Sequence, residues 1–340
     1  MRRHRVSGVI LLAAGALLAV SFAAAAPAPA PSAPPAAGSE QKRTVDDLSV
    51  VRLRSRAVVD ARSAPTLGTE REGTGVVIDA SGLVLTIGYL ILEAETVELS
   101  TVDGRSFPAS VVGYDAVTGF GLVRAVGPFP IKPIQVGESS GLALREPVLI
   151  VGFDGVAPAI VVSRRRFVGY WEYLLDDAIY TAPATVNWQG AALLDREQRL
   201  VGIGSLSVPD SVGGGSSLPG NLFVPIDRLK PLLADLIARG KPAGPARPWL
   251  GVTTQDVEGN VIVTRVASGS PADRSIRVGD VIVALGGQTL RGQADFYTRL
   301  WASGAAGREI ALDVLRDGAI KRVTVTSADR DTYYRPKPTY

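Results

Sequence analysis

Short apolar and β-branched runs recur from residue 73 to residue 226, separated by turns rich in Gly, Asp, Asn and Pro. Residues 75–78 precede the turn Asp79-Ala80-Ser81-Gly82, and residues 83–86 follow it. Residues 96–99 lead to Asp103-Gly104, a strong hairpin signal, and residues 109–112 return. Segments 121–125, 148–151, 159–162, 191–194, 200–203 and 222–224 continue the series. So many short strands, with no helical pattern among them, predict a closed barrel or a sandwich. The 37 Gly and 23 Pro supply the turns, and a 46% hydrophobic content is enough to fill the cores.

The flanks read differently. Val45, Leu48, Val51 and Val58 punctuate a charged stretch, which predicts a helix before a strand around Val58-Val59. Residues 229–237 predict a helix with Leu232, Leu233 and Leu236 on one face and Gly240 as its stop. Residues 240–248, rich in Gly and Pro, mark a domain boundary. Beyond it, strands are expected at 251–252, 261–266, 281–285, 310–315 and 320–325, the last two joined by Asp317-Gly318. A short helix opened by Ser270-Pro271 and a longer one over 294–301 complete this part, and residues 329–340 read as a disordered tail.

The N-terminus addresses location. Arg2, Arg3 and Arg5 precede a charge-free run from Val6 to Ala26 that ends in four alanines. This is the layout of a secretory signal peptide over residues 1–26, followed by a Pro/Ala-rich linker over 27–44. The run is also close to the ~20 residues of a membrane span. An uncleaved anchor is therefore the rival reading, and the only membrane contact expected. Small residues at the end of the run favour cleavage, and either reading places the rest outside the cytoplasm, in the periplasm. Removing three arginines from 36 basic residues leaves 33, against 33 acidic ones. A neutral mature chain has no electrostatic footprint for nucleic acid. The basic run Arg164-Arg165-Arg166 reads as a strand end or loop facing water, and Asp176-Asp177 as surface acids.

The reactive inventory excludes more. There is no Cys, and the single histidine is His4, inside the signal segment. The mature chain lacks the usual general base of serine and cysteine hydrolases and the commonest metal ligand. No metal site and no cofactor are expected. Lys42, Lys132, Lys230, Lys241, Lys321 and Lys337 mostly lie in polar or Pro-flanked settings unsuited to a Ser–Lys dyad. The run Gly213-Gly214-Gly215-Ser216-Ser217 lacks the lysine of a phosphate loop.

From about residue 70 to 328 the order of segments resembles the HtrA (Deg-type) serine proteases. The carriers are residues 72–79 (EGTGVVID), Asp103-Gly104-Arg105 with Val112-Gly113-Tyr114-Asp115, and residues 136–140 (VGESS) with Glu146-Pro147-Val148. Trp249-Leu250-Gly251-Val252 resembles the carboxylate-binding loop of PDZ domains. Residues 268–287 (SGSPADRSIRVGDVIVALGG) resemble the PDZ core, one residue shorter before Ile276, and Leu315-Arg316-Asp317-Gly318 its closing hairpin. The resemblance implies a mainly β chain, a trypsin-like double β-barrel over 45–239, a linker over 240–247 and a PDZ domain over 248–328. It also implies that backbone N–H groups of Leu250, Gly251 and Val252 converge on a peptide's terminal carboxylate, with the peptide added as a strand. Arg247 could assist the anion or be a solvated linker residue, and Trp249 could equally plug the space between domains.

The same resemblance places the catalytic triad on residues that cannot serve it. Tyr89 aligns with the histidine base, Gly119 with the orienting aspartate and Gln189 with the serine nucleophile, while Trp188 alters the oxyanion loop. A phenol with a pKa of about 10 is a poor base near neutrality, and an amide is no nucleophile. No catalytic residue is carried over.

Two functional readings remain. The first is a pseudoprotease that binds polypeptides or protein C-termini in a scaffold, chaperone-like or regulatory role. The second is a serine-type endopeptidase acting through an unconventional site or within an active hetero-assembly. Residues 40–62 contain no aromatic side chain of the kind that trimerises the family, so homo-oligomerisation stays open. The terminal Thr339-Tyr340 could enter a PDZ groove, although a disordered tail is the preferred reading.

Overall fold

The computed structural model describes residues 45–334. The expected signal or anchor, the Pro/Ala linker and residues 335–340, with the proposed groove contact of Tyr340, lie outside the described residues. Six strands close the first barrel: β1 (Val50–Ala57), β2 (Glu70–Val77), β3 (Leu83–Ile87), β4 (Ala94–Ser100), β5 (Ser106–Tyr114) and β6 (Phe120–Ala125). Their order is β1-β2-β3-β6-β5-β4. The second barrel contains β7 (Pro147–Gly152), β8 (Gly155–Gly169), β9 (Tyr173–Ala182), β10 (Ala192–Leu194), β11 (Leu200–Val208) and β12 (Gly220–Pro225). It closes in the order β10-β11-β12-β9-β8-β7.

A third sheet follows, formed by β13 (Val252–Val257), β14 (Asn260–Val266), β15 (Val281–Leu285), β16 (Gln288–Thr289), β17 (Glu309–Arg316) and β18 (Ala319–Thr326). Four short helices accompany the strands: α1 (Ala64–Leu67), α2 (Leu233–Arg239), α3 (Gln293–Ala302) and α4 (Arg330–Tyr333). Phe296, Tyr297 and Leu300 of α3 join the buried core of the third sheet with Leu250, Val263, Leu312 and Val314. Fully burying side chains of this size contributes ~1.5–3 kcal/mol each.

The chain departs from the sequence expectations in five places. The stretch expected to be helical before Val58 is helical only in a 3-10 turn at Val45–Leu48 and then forms strand β1, which ends at Ala57, short of the strand expected around Val58-Val59. Its period is two: Leu53, Ser55 and Ala57 are buried, whereas Arg52, Arg54 and Arg56 are not. Small residues at the inward positions hide that alternation. Arg54 faces Glu72 and Arg56 faces Glu70 across the ladder, each as an ion pair. The strand β9 was not expected at all. It pairs with β8, so the basic run lies within a long strand, with Arg166 bonded to Asp176 at 2.6 Å and Arg164 paired with Asp177.

The segment after Ser270-Pro271 makes successive turns instead of a helix. Asp273 N donates to Ser270 O and Ile276 N to Ala272 O, and the shortened segment ends before a second helical turn. Finally, residues 329–334 are not a loose tail. Asp329 caps α4 by accepting from Asp331 N, Tyr333 Oη donates to Ser268 O, and Arg62 Nη1 donates to Tyr333 O. The helix after the second barrel begins at Leu233, later than expected, because Pro231 lacks an N–H and disfavours a helical Lys230. Gly240 ends it in the left-handed region, as the sequence implied. Among the described residues no helix is long and apolar enough to cross a membrane.

One ion pair anchors the third sheet. Arg316 Nη2 reaches Asp280 Oδ2 at 2.6 Å, with the two side chains 13% and 1% exposed. Its Nη2 also donates to Ser275 O at 2.9 Å. Arg316→Ala strands a buried carboxylate, so a loss of about 3–5 kcal/mol is expected. A drop in the melting temperature followed by circular dichroism checks it.

Candidate functional site

The three residues aligned with a triad line one cavity of about 620 Å³, together with Trp188, Tyr114 and Tyr334. Tyr89 sits in the single 3-10 turn Gly88–Leu90 that ends β3, and its hydroxyl donates to Ser205 O at 3.0 Å. Burial pushes this phenol well above its ordinary range, so it holds its proton at neutral pH. Gly119 presents no side chain; a Cβ there would point at Ile87 Cδ1, 3.4 Å away, and at the Tyr173 hydroxyl, 3.6 Å away. That hydroxyl donates to Thr118 O at 2.7 Å. Gln189 lies in a pinned loop: its carbonyl accepts from Thr74 N at 2.8 Å, and Gly190 N donates to Gly204 O at 2.9 Å. The cavity offers hydrogen-bonding groups and aromatic faces, and at these three positions it presents a phenol, a bare backbone and an amide.

Trp249, Gly251 and Val252 line the same cavity. Trp249 exchanges backbone hydrogen bonds with Ala328 at 3.0 Å and packs its ring on Tyr333, 4.6 Å between centroids. Gly251 has φ +85, and a Cβ there would lie 2.2 Å from Ser270 Cβ. Only glycine fits both the turn and that approach. Arg247 lies over the Trp301 ring at 4.8 Å, so its guanidinium is used in packing.

The N–H groups of Leu250, Gly251 and Val252 converge on a carboxylate, and that carboxylate belongs to Glu172. Gly251 N and Val252 N donate to its Oε1 at 2.7 and 3.0 Å, and Leu250 N donates to its Oε2 at 3.1 Å. Glu172 stands at the tip of the β8–β9 hairpin and is 5% exposed. The tip is held along its length. Thr254 N of β13 donates to Tyr170 O at 2.9 Å, and Gln293 Nε2 of α3 reaches Gly169 O at 3.4 Å. Glu172 N donates to Tyr297 Oη at 3.2 Å, and Val168 packs against the core of the third sheet.

Hydrogen bonds to a charged group contribute ~1.5–3 kcal/mol each, yet burying a carboxylate costs several kcal/mol. Here burial outweighs the three N–H donors and the nearby Arg330, so the carboxyl is raised to about 7. Glu172, Tyr170, Gln293 and Tyr297 carried no signal in the sequence reading. The run Tyr170-Trp171-Glu172-Tyr173, an acid among aromatics between complementary Arg and Asp pairs, was the available clue.

Comparison with known proteins bears on both halves. Residues 73–203 match the trypsin-like peptidase domain and residues 248–326 the PDZ domain. The serine protease PepD of Mycobacterium tuberculosis is 29% identical over 336 residues, covering 90% of this chain and 72% of PepD. The periplasmic pH-dependent serine endoprotease DegQ of Escherichia coli is 26% identical over 288 residues, 78% of this chain and 61% of DegQ.

The chain belongs to the HtrA-type serine protease family. The structure of the HtrA-type protease AlgW with decapeptide has the same fold, with a TM-score of 0.50 at 21% identity over 86% of this chain and 97% of that one. In HtrA-type terms the cavity lies in the double barrel, with the PDZ loop on its wall.

Proposed function

We propose that this HtrA-type chain binds polypeptides through their carboxyl termini at the PDZ loop and does not cleave them. The observation that carries this reading is the cavity in which Tyr89, Gly119 and Gln189 stand together. It is supported by the absence of any histidine after His4. A serine nucleophile needs a base, and the base an orienting group. Three convergent N–H groups, in contrast, suit a terminal carboxylate, and the edge of β13 suits an added strand. An exported scaffold, chaperone-like or regulatory protein of the periplasm fits this chemistry and the periplasmic name of DegQ.

The names of PepD and DegQ favour a second reading, an endopeptidase acting through an unconventional site or in an active hetero-assembly. Treating the pure chain lacking residues 1–26 with a fluorophosphonate probe separates the two. No covalent labelling is expected. A stoichiometric adduct on a serine lining the cavity would overturn the proposal.

A further inference from the structure

The tip of the β8–β9 hairpin holds a residue that a turn alone does not call for. Glu172 has φ +55, a left-handed conformation that glycine or asparagine adopts at least cost. The side chain placed there reaches into the PDZ loop and meets all three of its converging N–H groups. Two residues earlier, Tyr170 O takes the N–H of Thr254, so the contact continues along the edge of β13 as an added strand would. A simple rivet between domains needs neither the carboxylate in the loop nor the backbone pairing beside it.

We infer that residues 169–172 are an internal ligand of the PDZ groove, with the Glu172 carboxylate in the place of a polypeptide's terminal carboxylate, so that an outside C-terminus binds by displacing the hairpin tip. The inference rests on the reading of the loop as a carboxylate site. A tethered ligand acts at an effective concentration in the millimolar range, which suppresses an external competitor without any further contact. Displacement frees Tyr170 and Trp171, whose rings lie 4.7 Å apart at the wall of the barrel cavity.

The competition depends on pH. Arg330 of α4 and Tyr297 of α3 are the ionisable groups that act on Glu172. Asp115, Arg228, Lys241, Arg247, Asp329 and Asp331 line the cavity beside it. In the docked tip the carboxyl titrates at about 7, against 4.5 for the ordinary group. The docked form binds the proton more tightly, so docking is strongest below the ordinary value and weakens as pH rises through about 7. The free peptide's carboxylate is ionised across this range, so the titration of the tip alone lets an outside C-terminus compete about tenfold better at pH 8 than at pH 6.

The test uses fluorescence anisotropy with a fluorescein-labelled hexapeptide, Phe-Val-Gly-Tyr-Trp-Leu, with a free C-terminus, and with its C-terminal amide as control. The full mature chain is compared with Glu172→Ala and with the isosteric Glu172→Gln, each checked for folding by circular dichroism. Glu172→Ala is expected to bind the free-acid peptide at least tenfold more tightly than the parent and to lose the pH dependence, with the amide binding to none. Glu172→Gln keeps the shape and is expected to fall between them. Equal free-acid affinity in the parent and in the folded variants overturns the internal-ligand inference and leaves the carboxylate reading standing. Failure of every form to bind the free acid overturns both.

Discussion

Gln189→Ser is expected to hydrolyse unfolded casein no faster than the parent chain, within about tenfold. The new hydroxyl would share the cavity with Tyr89, whose own hydroxyl is committed to Ser205 O and held protonated by burial. Adding Tyr89→His supplies an imidazole but nothing to orient it, because Gly119 carries no carboxylate. In triads of this kind the orienting aspartate alone is worth about 10⁴ in rate. Gly119→Asp in turn needs room now bordered by the Tyr173 hydroxyl, 3.6 Å from the new Cβ. On the proposed reading, triad activity requires several coupled changes, and triad contributions are far from additive. A rise of more than about 100-fold for the single variant, read by release of labelled casein fragments, would contradict this.

Gly190→Ala is expected to destabilise the barrels by about 3–5 kcal/mol. Its backbone is left-handed, at φ +73, and the added Cβ would lie 2.2 Å from Thr74 O and 2.6 Å from Thr86 Oγ1. Neither neighbour can give way cheaply. Thr74 O accepts from Thr86 Oγ1 at 2.7 Å, Thr74 N donates to Gln189 O, and both threonines are fully buried. At ~2–4 °C per kcal/mol for chains of this size, the melting temperature should fall by about 10 °C. Calorimetry checks it, and an unchanged melting temperature would mean that the loop is far softer than its hydrogen bonds imply.

Much of the architecture was legible because its signals are local. Alternating apolar residues, Asp103-Gly104, Asp317-Gly318 and the stop at Gly240 act within a few positions, and they located most strands and both hairpins. The failures arose where partners lie far apart in sequence. Strand β1 hides its period because Ser55 and Ala57 fill inward places, and its outward arginines Arg54 and Arg56 are matched by Glu72 and Glu70 on the next strand. The carboxylate loop was read from its own residues, Leu250, Gly251 and Val252. What fills it comes from Glu172, about eighty positions earlier, through a tertiary contact that no local pattern encodes. Residues 329–334 were misjudged for the same reason, since Tyr333 is held by Arg62, Trp249 and Ser268.

The most direct test of binding without cleavage is to incubate the chain lacking residues 1–26 with unfolded casein at several pH values and follow the casein by intact mass spectrometry. Casein of unchanged mass is the predicted result, with complexes recovered between casein and the chain. Casein fragments whose formation co-purifies with the chain would contradict it.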